Sequence, residues 1–577
     1  MKTQYFAVIA IAALLFPAFF FSDQNTNVVE TRGGLRITKV DQNIIKIQNA
    51  RNGFTIYKSV ENTTLHKREG IPTLTIDMRT LDTAEYNWKY HYLTSFNAGM
   101  EDDDFELVAY DFNKDGKDEV VLRNRTYESP HRELGMGIYE LGTGQDSTTM
   151  RKIYQYPDTL LIGGKTFGDI DQDGTMEFIT SRNSSDADTG TVFSQLSSNA
   201  LPTEKIGEID SLYKHAGTNI PRLRNLDNDP NFELIYRVEK GSSDDLPQGI
   251  YNQICRFNSA THRFNVVFSH KLPIYTQGYA FGDFDLDGKL NFTNGSIDGR
   301  FFMYEYQGGN NWSFQLIDTL PTKNAYLTCT TNDLDGNGKP EIWIGGDTYI
   351  NGIGRTLFTI YETTGDNTYE PVYYIDLIGI FSFYAGNIQV VDMDNDGKDE
   401  VFLCIDQHVL IFKYGNGGYY LWYVKENELA AAGQNSVVYS AYAANLDGKG
   451  CKEILMIQDI IDPIKGLLVF TSVYKSDIVT DVENKETNMP RQFQLFQNYP
   501  NPFNPATGIQ YSVASSQKVI LKVYDVLGRE VTTLVNEKKS PGTYKVSFDG
   551  SNLSSGIYFY RLTAGDYTET KKMVLVR

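Results

Sequence analysis

A nine-residue acidic segment that recurs seven times constrains the fold of this 577-residue chain more than any other feature. The copies begin at residues 111, 169, 225, 283, 333, 392 and 445. Positions 1 and 3 are always Asp or Asn, position 9 is Glu or Asn, and position 2 is apolar in every copy. A surface turn has no reason to keep an apolar residue at a fixed offset, so the pattern indicates one structural unit built seven times.

The spacing of the oxygen-bearing side chains is typical of a calcium loop. Calcium takes about six to eight oxygen ligands in irregular geometry, and carboxylates at positions 1, 3 and 5 can point inward while position 9 closes the site. Glycine at position 6, present in six copies, permits the sharp bend. The predicted metal ligands are Asp111, Asn113, Asp115, Glu119, Asp169, Asp171, Asp173, Glu177, Asn225, Asp227, Asp229, Glu233, Asp283, Asp285, Asp287, Asn291, Asp333, Asp335, Asn337, Glu341, Asp392, Asp394, Asp396 and Glu400.

The seven copies differ in how well they suit a cation. Those at 111, 169, 333 and 392 carry oxygen-bearing side chains at all four positions, and we expect them to bind best. The copy at 283 ends in the neutral Asn291, and the copy at 225 has Pro230 in place of glycine. The copy at 445 places Lys449 at position 5, so we expect that loop to hold no metal, with Lys449 in place of the ion.

The repeat also predicts the fold class, which is all-β. The copies start 50 to 59 residues apart, and each is followed by an apolar or β-prone run such as EVFLCI at 400–405. A strand at this point argues against an EF-hand, and units of this length suit four-stranded blades, which predicts a seven-bladed β-propeller. We expect one strand from residues 33–60 to complete the last blade. Alternatively, residues 33–95 form an eighth blade.

The chain resembles a known repeat family. FGD at 167–169 and 281–283, WIGGD at 343–347 and the frame D-x-D-x-D-G-x-x-[DE] are similar to the FG-GAP (VCBS-like) repeat, which builds the propeller of integrin α subunits. The resemblance covers roughly residues 95–475. It implies an integrin-α-like propeller with several structural Ca²⁺ ions in the loops.

The N-terminus and the charge suggest an exported protein. Residues 1–24 contain one lysine and an apolar run from Phe6 to Phe21, which is short for a membrane span and indicates a signal peptide. An uncleaved anchor is the alternative, and no later stretch of the sequence could cross a bilayer. The net charge of −20 and the lack of a basic stripe argue against a nucleic-acid partner. Export permits disulfides, but the pairing of the four cysteines is left open.

The C-terminal part of the chain differs from the repeats. We assign residues 25–474 to the propeller, residues 475–492 to a polar linker and residues 493–577 to a small Ig-like β-sandwich. NYPNPFNP at 498–505, YDVLGREV at 524–531 and SGIYFYRL at 555–562 resemble the type A C-terminal sorting domain of the type IX secretion system. This resemblance implies the type IX secretion machinery as a partner and a location outside a Gram-negative cell or on its outer surface.

The sequence contains no recognisable catalytic motif. The seven histidines form no H-E-x-x-H pair, and no G-x-S-x-G elbow occurs. Aromatic runs at 86–93, 301–312 and 417–424 could stack on sugars, although strand propensity alone accounts for such runs. The first hypothesis is therefore a secreted or surface module that binds a protein or a polysaccharide. The alternatives are a polysaccharide lyase or hydrolase with its site in the propeller channel, and a structural surface component.

Overall fold

The computed structural model describes residues 28–576 apart from 33–34, 50–54, 97–108, 126–133, 144–146, 158–160, 171–172, 183–188, 196, 210–221, 227–231, 241–248, 259–260, 262, 382–387, 432–435, 463–465, 478–492, 497, 499–500, 502, 514–516, 540–541 and 566. Two compact units divide between Thr480 and Asp481. Within the described ranges, helix is limited to two 3₁₀ turns, Thr83–Glu85 and Asn87–Lys89, and one short α-helix, Glu428–Ala431. The prediction of an all-β chain is confirmed. None of these helical segments is long and apolar enough to span a bilayer, and the predicted signal peptide lies outside the described residues.

Seven sheets of the first unit each carry one nine-residue loop between their first and second strands. We number them sheets 1 to 7 in chain order. Sheet 1 contains Ala109–Tyr110, Glu119–Arg125, Leu134–Leu141 and Met150–Gln155. Sheet 2 contains Leu161–Gly168, Glu177–Arg182, Thr189–Gln195 and Pro202–Ile209. Sheet 3 contains Arg222–Arg224, Glu233–Lys240, Gly249–Asn258 and Arg263–Leu272.

The remaining four sheets follow the same antiparallel order. Sheet 4 contains Thr276–Gln277 and Phe281–Gly282, which share one edge, then Asn291–Ser296, Arg300–Tyr306 and Trp312–Thr319. Sheet 5 contains Lys323–Thr330, Ile342–Ile350, Ile353–Gly365, Thr368–Ile378 and the parallel edge strand Thr73–Asp77. Sheet 6 contains Ile388–Val391, Glu400–Ile405, His408–Gly415 and Gly418–Glu426. Sheet 7 contains Val438–Ala444, Glu453–Asp462, Gly466–Ser476 and Tyr90–Phe96.

The predicted strand after each loop is present in all seven sheets. In sheet 6 every residue of Glu400–Ile405 is buried, as expected for a strand covered on both faces. Consecutive sheets share apolar clusters; Phe112 and Met136 of sheet 1, for example, pack with Phe178 and Phe193 of sheet 2. The sheets therefore pack face to face in chain order.

The last sheet also contacts the first. The Asn445 N–H donates to Asp118 Oδ2 at 2.7 Å, and the Asp118 N–H donates to the Asn445 carbonyl at 2.8 Å. Leu446 and Leu455 of sheet 7 belong to the same apolar cluster as Val120 of sheet 1. Polar and apolar contacts thus join the two ends of the sheet series.

The strand that completes sheet 7 is not the one predicted. Tyr90–Phe96 pairs with Gly466–Ser476, whereas residues 33–60 were expected there. The ring of Tyr90 is buried against that of Tyr423 of sheet 6, with centroids 4.9 Å apart, so the strand also packs on the neighbouring sheet. The expectation was wrong because the earlier apolar stretches pair with one another.

Residues 28–59 form a four-stranded sheet without a nine-residue loop, which we call the N-terminal sheet. Its strands are Val28–Arg32, Leu35–Lys39, Ile44–Asn49 and Thr55–Ser59. Ile37, Ile45, Ile47 and Ile56 project from it into a cluster shared with sheets 1, 4, 5 and 7. Burial of these four isoleucines explains why the stretch does not serve as an edge strand.

The N-terminal sheet contacts sheet 5 at the end away from that sheet's loop. The Tyr326 hydroxyl donates to the Tyr57 carbonyl at 2.8 Å, and the Ser59 N–H donates to Asn324 Oδ1 at 2.7 Å. Lys58 and Asp347 form a fully buried ion pair there. Loop 333–341 follows the opposite end of the first strand. The loop and the contacts with the N-terminal sheet therefore lie at opposite ends of the strands of sheet 5.

The second unit contains two sheets around one core. The first sheet comprises Gln494–Leu495, Ala506–Val513 and Gly542–Asp549, and the second comprises Gln517–Tyr524, Glu530–Lys539, Gly556–Ala564 and Tyr567–Leu575. Residues such as Ile509, Leu521, Tyr560 and Met573 share the core between them. In the first unit, the strand before the predicted linker runs to Ser476, two residues past the expected boundary, and residues 478–492 lie outside the described ranges. All four cysteines are buried as thiols.

Candidate metal-binding loops

Each loop is closed by a hydrogen bond between its ninth and second residues. The buried side chain at position 9 accepts the backbone N–H of position 2 in every copy. The donor–acceptor distances are 2.8 Å for Phe112–Glu119, 2.9 Å for Ile170–Glu177, 2.8 Å for Leu226–Glu233, 3.2 Å for Phe284–Asn291, 3.0 Å for Leu334–Glu341, 2.7 Å for Met393–Glu400 and 2.8 Å for Leu446–Glu453. The hydrogen bond explains why position 9 always carries a side-chain oxygen, and burial of the position 2 side chain explains why that residue is always apolar.

The side chain at position 1 shapes the turn. In loop 392–400, Asp392 accepts the N–H of Asp396 at 3.1 Å and that of Gly397 at 2.9 Å. The loops at 111, 169, 283 and 333 repeat this pair of bonds at 2.8 to 3.1 Å. Gly397 has φ of 84°, and no neighbouring atom lies within 4 Å of a Cβ built there. Backbone conformation, and not lack of space, is what requires glycine at position 6.

In three loops the structure forms groups that consist of predicted ligands alone. Carboxylate oxygens lie within 4.8 Å of one another in three groups: Asp111, Asp115 and Glu119; Asp333, Asp335 and Glu341; and Asp392, Asp394 and Glu400. Burial raises the pKa of Glu119 to about 7, and the neighbouring Asp115 and Asp111 add to the shift. A bound divalent cation would relieve this repulsion, and the hard oxygen donors of the groups at 111 and 333 fit calcium.

Loop 283–291 gathers a different set of residues from the predicted one. Asp285 and Asp287 lie within 4.8 Å of Glu305 and Asp366, which come from the third strand of sheet 4 and from a turn of sheet 5. The side-chain oxygen of the predicted ligand Asn291 instead accepts the backbone N–H of Phe284. Sequence reasoning missed Glu305 and Asp366 because both lie outside the nine-residue frame.

Lys289 also enters the group of loop 283–291. Its ammonium lies 2.6 Å from Asp287 and 3.0 Å from Glu305, and its side chain is 44% exposed. Because nearly half of its side chain is exposed, the lysine can turn outward into solvent.

Several predicted ligands are not brought into these groups. The side-chain amide of Asn337 donates to Asp335 and Glu362, and its oxygen accepts the Lys339 N–H. The side-chain amide of Asn113 likewise donates to a carboxylate, that of Glu119. In loop 169–177, Glu177 accepts the Ser194 hydroxyl at 2.7 Å. Asp171, Asp227 and Asp229 lie outside the described residues.

A residue of the third strand faces each loop directly across from position 9, and we call this the third-strand position. The pairing register, continued by one residue in sheets 1, 5, 6 and 7, places Glu140, Ser194, Arg256, Glu305, Glu362, Lys413 and Lys475 there in sheets 1 to 7. The Lys413 ammonium lies 2.7 Å from Asp394, 3.0 Å from Asp396 and 2.8 Å from Glu400. Burial alone would lower the pKa of Lys413, but these bonds raise it.

In loop 445–453 the nearest cation is not the predicted one. The ammonium of Lys475, at the third-strand position, lies 2.7 Å from Asp447. The expected stand-in, Lys449, is 3.4 Å away and 73% exposed. Lys475 therefore makes the closer contact with the acidic side chain of this loop.

Two of the aromatic runs meet on the surface, and the third does not. Phe301, Phe302 and Tyr304 are buried, so the run at 301–312 serves mainly as core. The runs at 86–93 and 417–424 join where Lys89 donates to the Trp422 carbonyl at 2.8 Å. The Lys89 ammonium lies between the rings of Trp88 and Trp422, 4.2 and 4.7 Å from their centroids, and Trp88 is 61% exposed. We call Trp88, Lys89 and Trp422 the aromatic platform.

Comparisons with solved structures give similarities at low identity. They include a fungal alcohol oxidase of the AA5 family in complex with copper, with 9% identity, a TM-score of 0.39 and coverage of 85% of this chain and 99% of that one. Periplasmic gluconolactonase PpgL of Pseudomonas aeruginosa shows 11% identity, a TM-score of 0.35 and coverage of 63% and 99%. PorZ, a surface component of the type-IX secretion system of Porphyromonas gingivalis, shows 11% identity, a TM-score of 0.28 and coverage of 96% and 75%. These TM-scores support no statement about function.

The C-terminal unit gives the informative match. A comparison with curated proteins finds none that matches the sequence. The family model of the secretion system C-terminal sorting domain matches residues 497–576. The C-terminal unit is therefore a sorting domain of this family, which implies that the chain is exported by the type IX secretion system to the cell surface or beyond.

Proposed function

We propose that the first unit is a calcium-stabilised, seven-bladed β-propeller that binds a protein or polysaccharide outside the cell. The third strand of sheet 7 ends at Ser476, so the propeller comprises residues 25–476, and residues 477–492 link it to the sorting domain of residues 493–577. The observation that carries the proposal is the loop frame, with position 9 bonded to position 2 and position 1 bonded to positions 5 and 6. This frame holds carboxylates close together in the way a calcium loop requires.

Two contacts support closure of the seven sheets into a ring. Sheet 7 packs on sheet 1 through the paired hydrogen bonds of Asn445 and Asp118. Tyr90–Phe96, from near the start of the chain, supplies the outer strand of the last sheet. Closure of this kind gives the long strand Gly466–Ser476 a partner, so that it does not form the exposed edge of the last blade.

The proposed role of calcium is to hold the loops in a shape that their own charges oppose. Extracellular loops of this kind bind calcium with Kd values of about 10⁻⁴ to 10⁻³ M. At about 5 mM Ca²⁺, each occupied site would then stabilise the fold by roughly 1–2 kcal/mol.

The calcium role is tested by thermal unfolding of the full chain in EDTA, in 5 mM Ca²⁺ and in 5 mM Mg²⁺. We expect the Tm to fall by several degrees in EDTA and to recover in Ca²⁺ but much less in Mg²⁺. The same Tm in EDTA and Ca²⁺ would refute the role. Isothermal titration calorimetry on the EDTA-treated, dialysed protein counts the sites.

The aromatic platform favours a polysaccharide among the possible ligands. Exposed tryptophan offers a flat apolar face for sugar rings, and Lys89 can donate hydrogen bonds to hydroxyl groups. We expect a glycan array to show binding that Trp88→Ala removes. Leu316→Ala, which alters an exposed apolar side chain on sheet 4, serves as the matched control. Equal binding by the wild type and Trp88→Ala would reject the platform, and cleavage of a bound glycan would favour the enzyme alternative.

A further inference from the structure

The third-strand position separates the loops into two groups. The residue is acidic or a serine in sheets 1, 2, 4 and 5, and it is basic in sheets 3, 6 and 7. A side chain on the third strand lies beside the ninth residue of the loop, so its head group reaches the oxygens that a cation would use. The charge of the third-strand residue should therefore decide whether the loop holds a metal ion or the residue's own cationic head group.

Loop 392–400 is the clearest case because its sequence, DMDNDGKDE, has more acidic residues than any other copy. The Lys413 ammonium contacts Asp394, Asp396 and Glu400, at positions 3, 5 and 9, with distances of 2.7, 3.0 and 2.8 Å. An ammonium has three N–H donors, and here each has a carboxylate partner. The lysine side chain is 10% exposed, and the Trp422 ring centroid lies 5.0 Å from its nitrogen.

We propose that Lys413 takes the place of a metal ion in loop 392–400, so that this loop binds no calcium. The inference rests on the proposed calcium function of the other loops. A calcium ion would need the same oxygens of Asp394, Asp396 and Glu400, and two cations cannot share them at such short distances. The loop most like a calcium site in sequence therefore carries its own fixed positive charge.

Two other loops support the same rule. Arg256 bonds to Glu233 at 3.0 Å in the loop where Pro230 replaces glycine. Lys475 bonds to Asp447 at 2.7 Å in the loop that carries Lys449 at position 5. In both, a basic third-strand residue accompanies a loop sequence that has already lost the calcium pattern. In sheet 6 the basic residue is the only sign of that loss.

Lys289 of loop 283–291 does not fit this rule, although it also contacts carboxylates. It lies within the loop at position 7, its ion pairs among the described residues are with Asp287 and Glu305, and it is 44% exposed. It can turn into solvent when a metal binds, whereas Lys413 is enclosed by the strand and by Trp422.

The test is the number of calcium ions bound per full-length chain, measured by isothermal titration calorimetry on protein freed of metal. Lys413→Ser, which copies Ser194 of sheet 2, should bind one more ion than the wild type. Glu362→Lys, which places a lysine at the same register position of sheet 5, should bind one fewer. Tb³⁺ gives a local readout, since Trp422 should sensitise its emission in Lys413→Ser and Trp422→Phe should remove that increment.

A second pair of variants decides the question if Lys413→Ser does not fold. Asp394→Asn and Asp335→Asn change the same loop position in sheets 6 and 5. Asp394→Asn should bind the same number of calcium ions as the wild type. Asp335→Asn should bind one fewer, or should bind one of them at least tenfold more weakly. A lower count in Asp394→Asn, or an unchanged count in folded Lys413→Ser, would overturn the inference. A wild-type protein that binds no calcium would instead overturn the proposed function.

Discussion

Glu119→Gln should remove most of the pH dependence that loop 111–119 gives to the stability of the metal-free protein. Glu119 is fully buried, and one carboxylate oxygen accepts the Phe112 N–H at 2.8 Å. Burial, together with the charges of Asp115 and Asp111, raises its pKa to about 7. A carboxyl group whose pKa is higher in the folded state stabilises the fold at low pH, and this stability is lost as the pH rises through about 7.

The size of the effect follows from the two pKa values. With a folded pKa near 7 and an unfolded pKa of about 4.5, lowering the pH from 8 to 6.5 should stabilise the fold by roughly 1 kcal/mol through this group. Glutamine keeps an acceptor for Phe112 but does not titrate, so Glu119→Gln should lose that increment. Glu370→Gln, which changes an exposed carboxylate, is the matched control.

The assay is urea unfolding in EDTA at pH 8 and pH 6.5, followed by tryptophan fluorescence. All four tryptophans lie in the first unit, so the signal does not report the sorting domain. In 5 mM Ca²⁺ the pH effect in the wild type should shrink or reverse, because calcium requires ionised Glu119. Equal pH dependence of the wild type and Glu119→Gln in EDTA would refute the reasoning.

Two further predictions concern the backbone and the buried charges. Gly397→Ala should destabilise the first unit by roughly 1–2 kcal/mol, because the residue has a positive φ although there is room for a methyl group. Gly295→Ala should destabilise it clearly more in the same unfolding assay, because the new Cβ would lie 1.4 Å from the Ala325 carbonyl oxygen. Lys58→Met should cost roughly 3–5 kcal/mol because it leaves Asp347 buried without its cation, and adding Asp347→Leu should restore part of that loss. A double variant no more stable than Lys58→Met would contradict this.

The sequence predicts the loops and the strands that follow them because that information is local. The apolar residue at position 2 and the Glu or Asn at position 9 are joined by one short hydrogen bond, as in Met393 and Glu400. The strands begin at a fixed point relative to this bond. The identity of the strand that completes sheet 7 is not local information. Both GLRITKV and YHYLTSF are rich in residues that favour strands, and which of them pairs with sheet 7 depends on contacts with distant parts of the chain.

The residues that complete the loops are harder to find in the sequence. The third-strand position follows a hairpin of variable length, so Ser194 lies 17 residues after Glu177, whereas Arg256 lies 23 residues after Glu233. No fixed offset leads from the loop to Lys413. Asp366 comes from a neighbouring sheet altogether. These residues become recognisable only when the strand register is known.

The position of Tyr90–Phe96 in sheet 7 determines when the first unit can finish folding. His91 bonds to Asp477, which lies 386 positions later in the chain, so the ribosome releases the first partner long before the second. Contacts so distant in sequence form slowly because a long loop must close first. The first unit therefore cannot finish folding until nearly all of it has been synthesised.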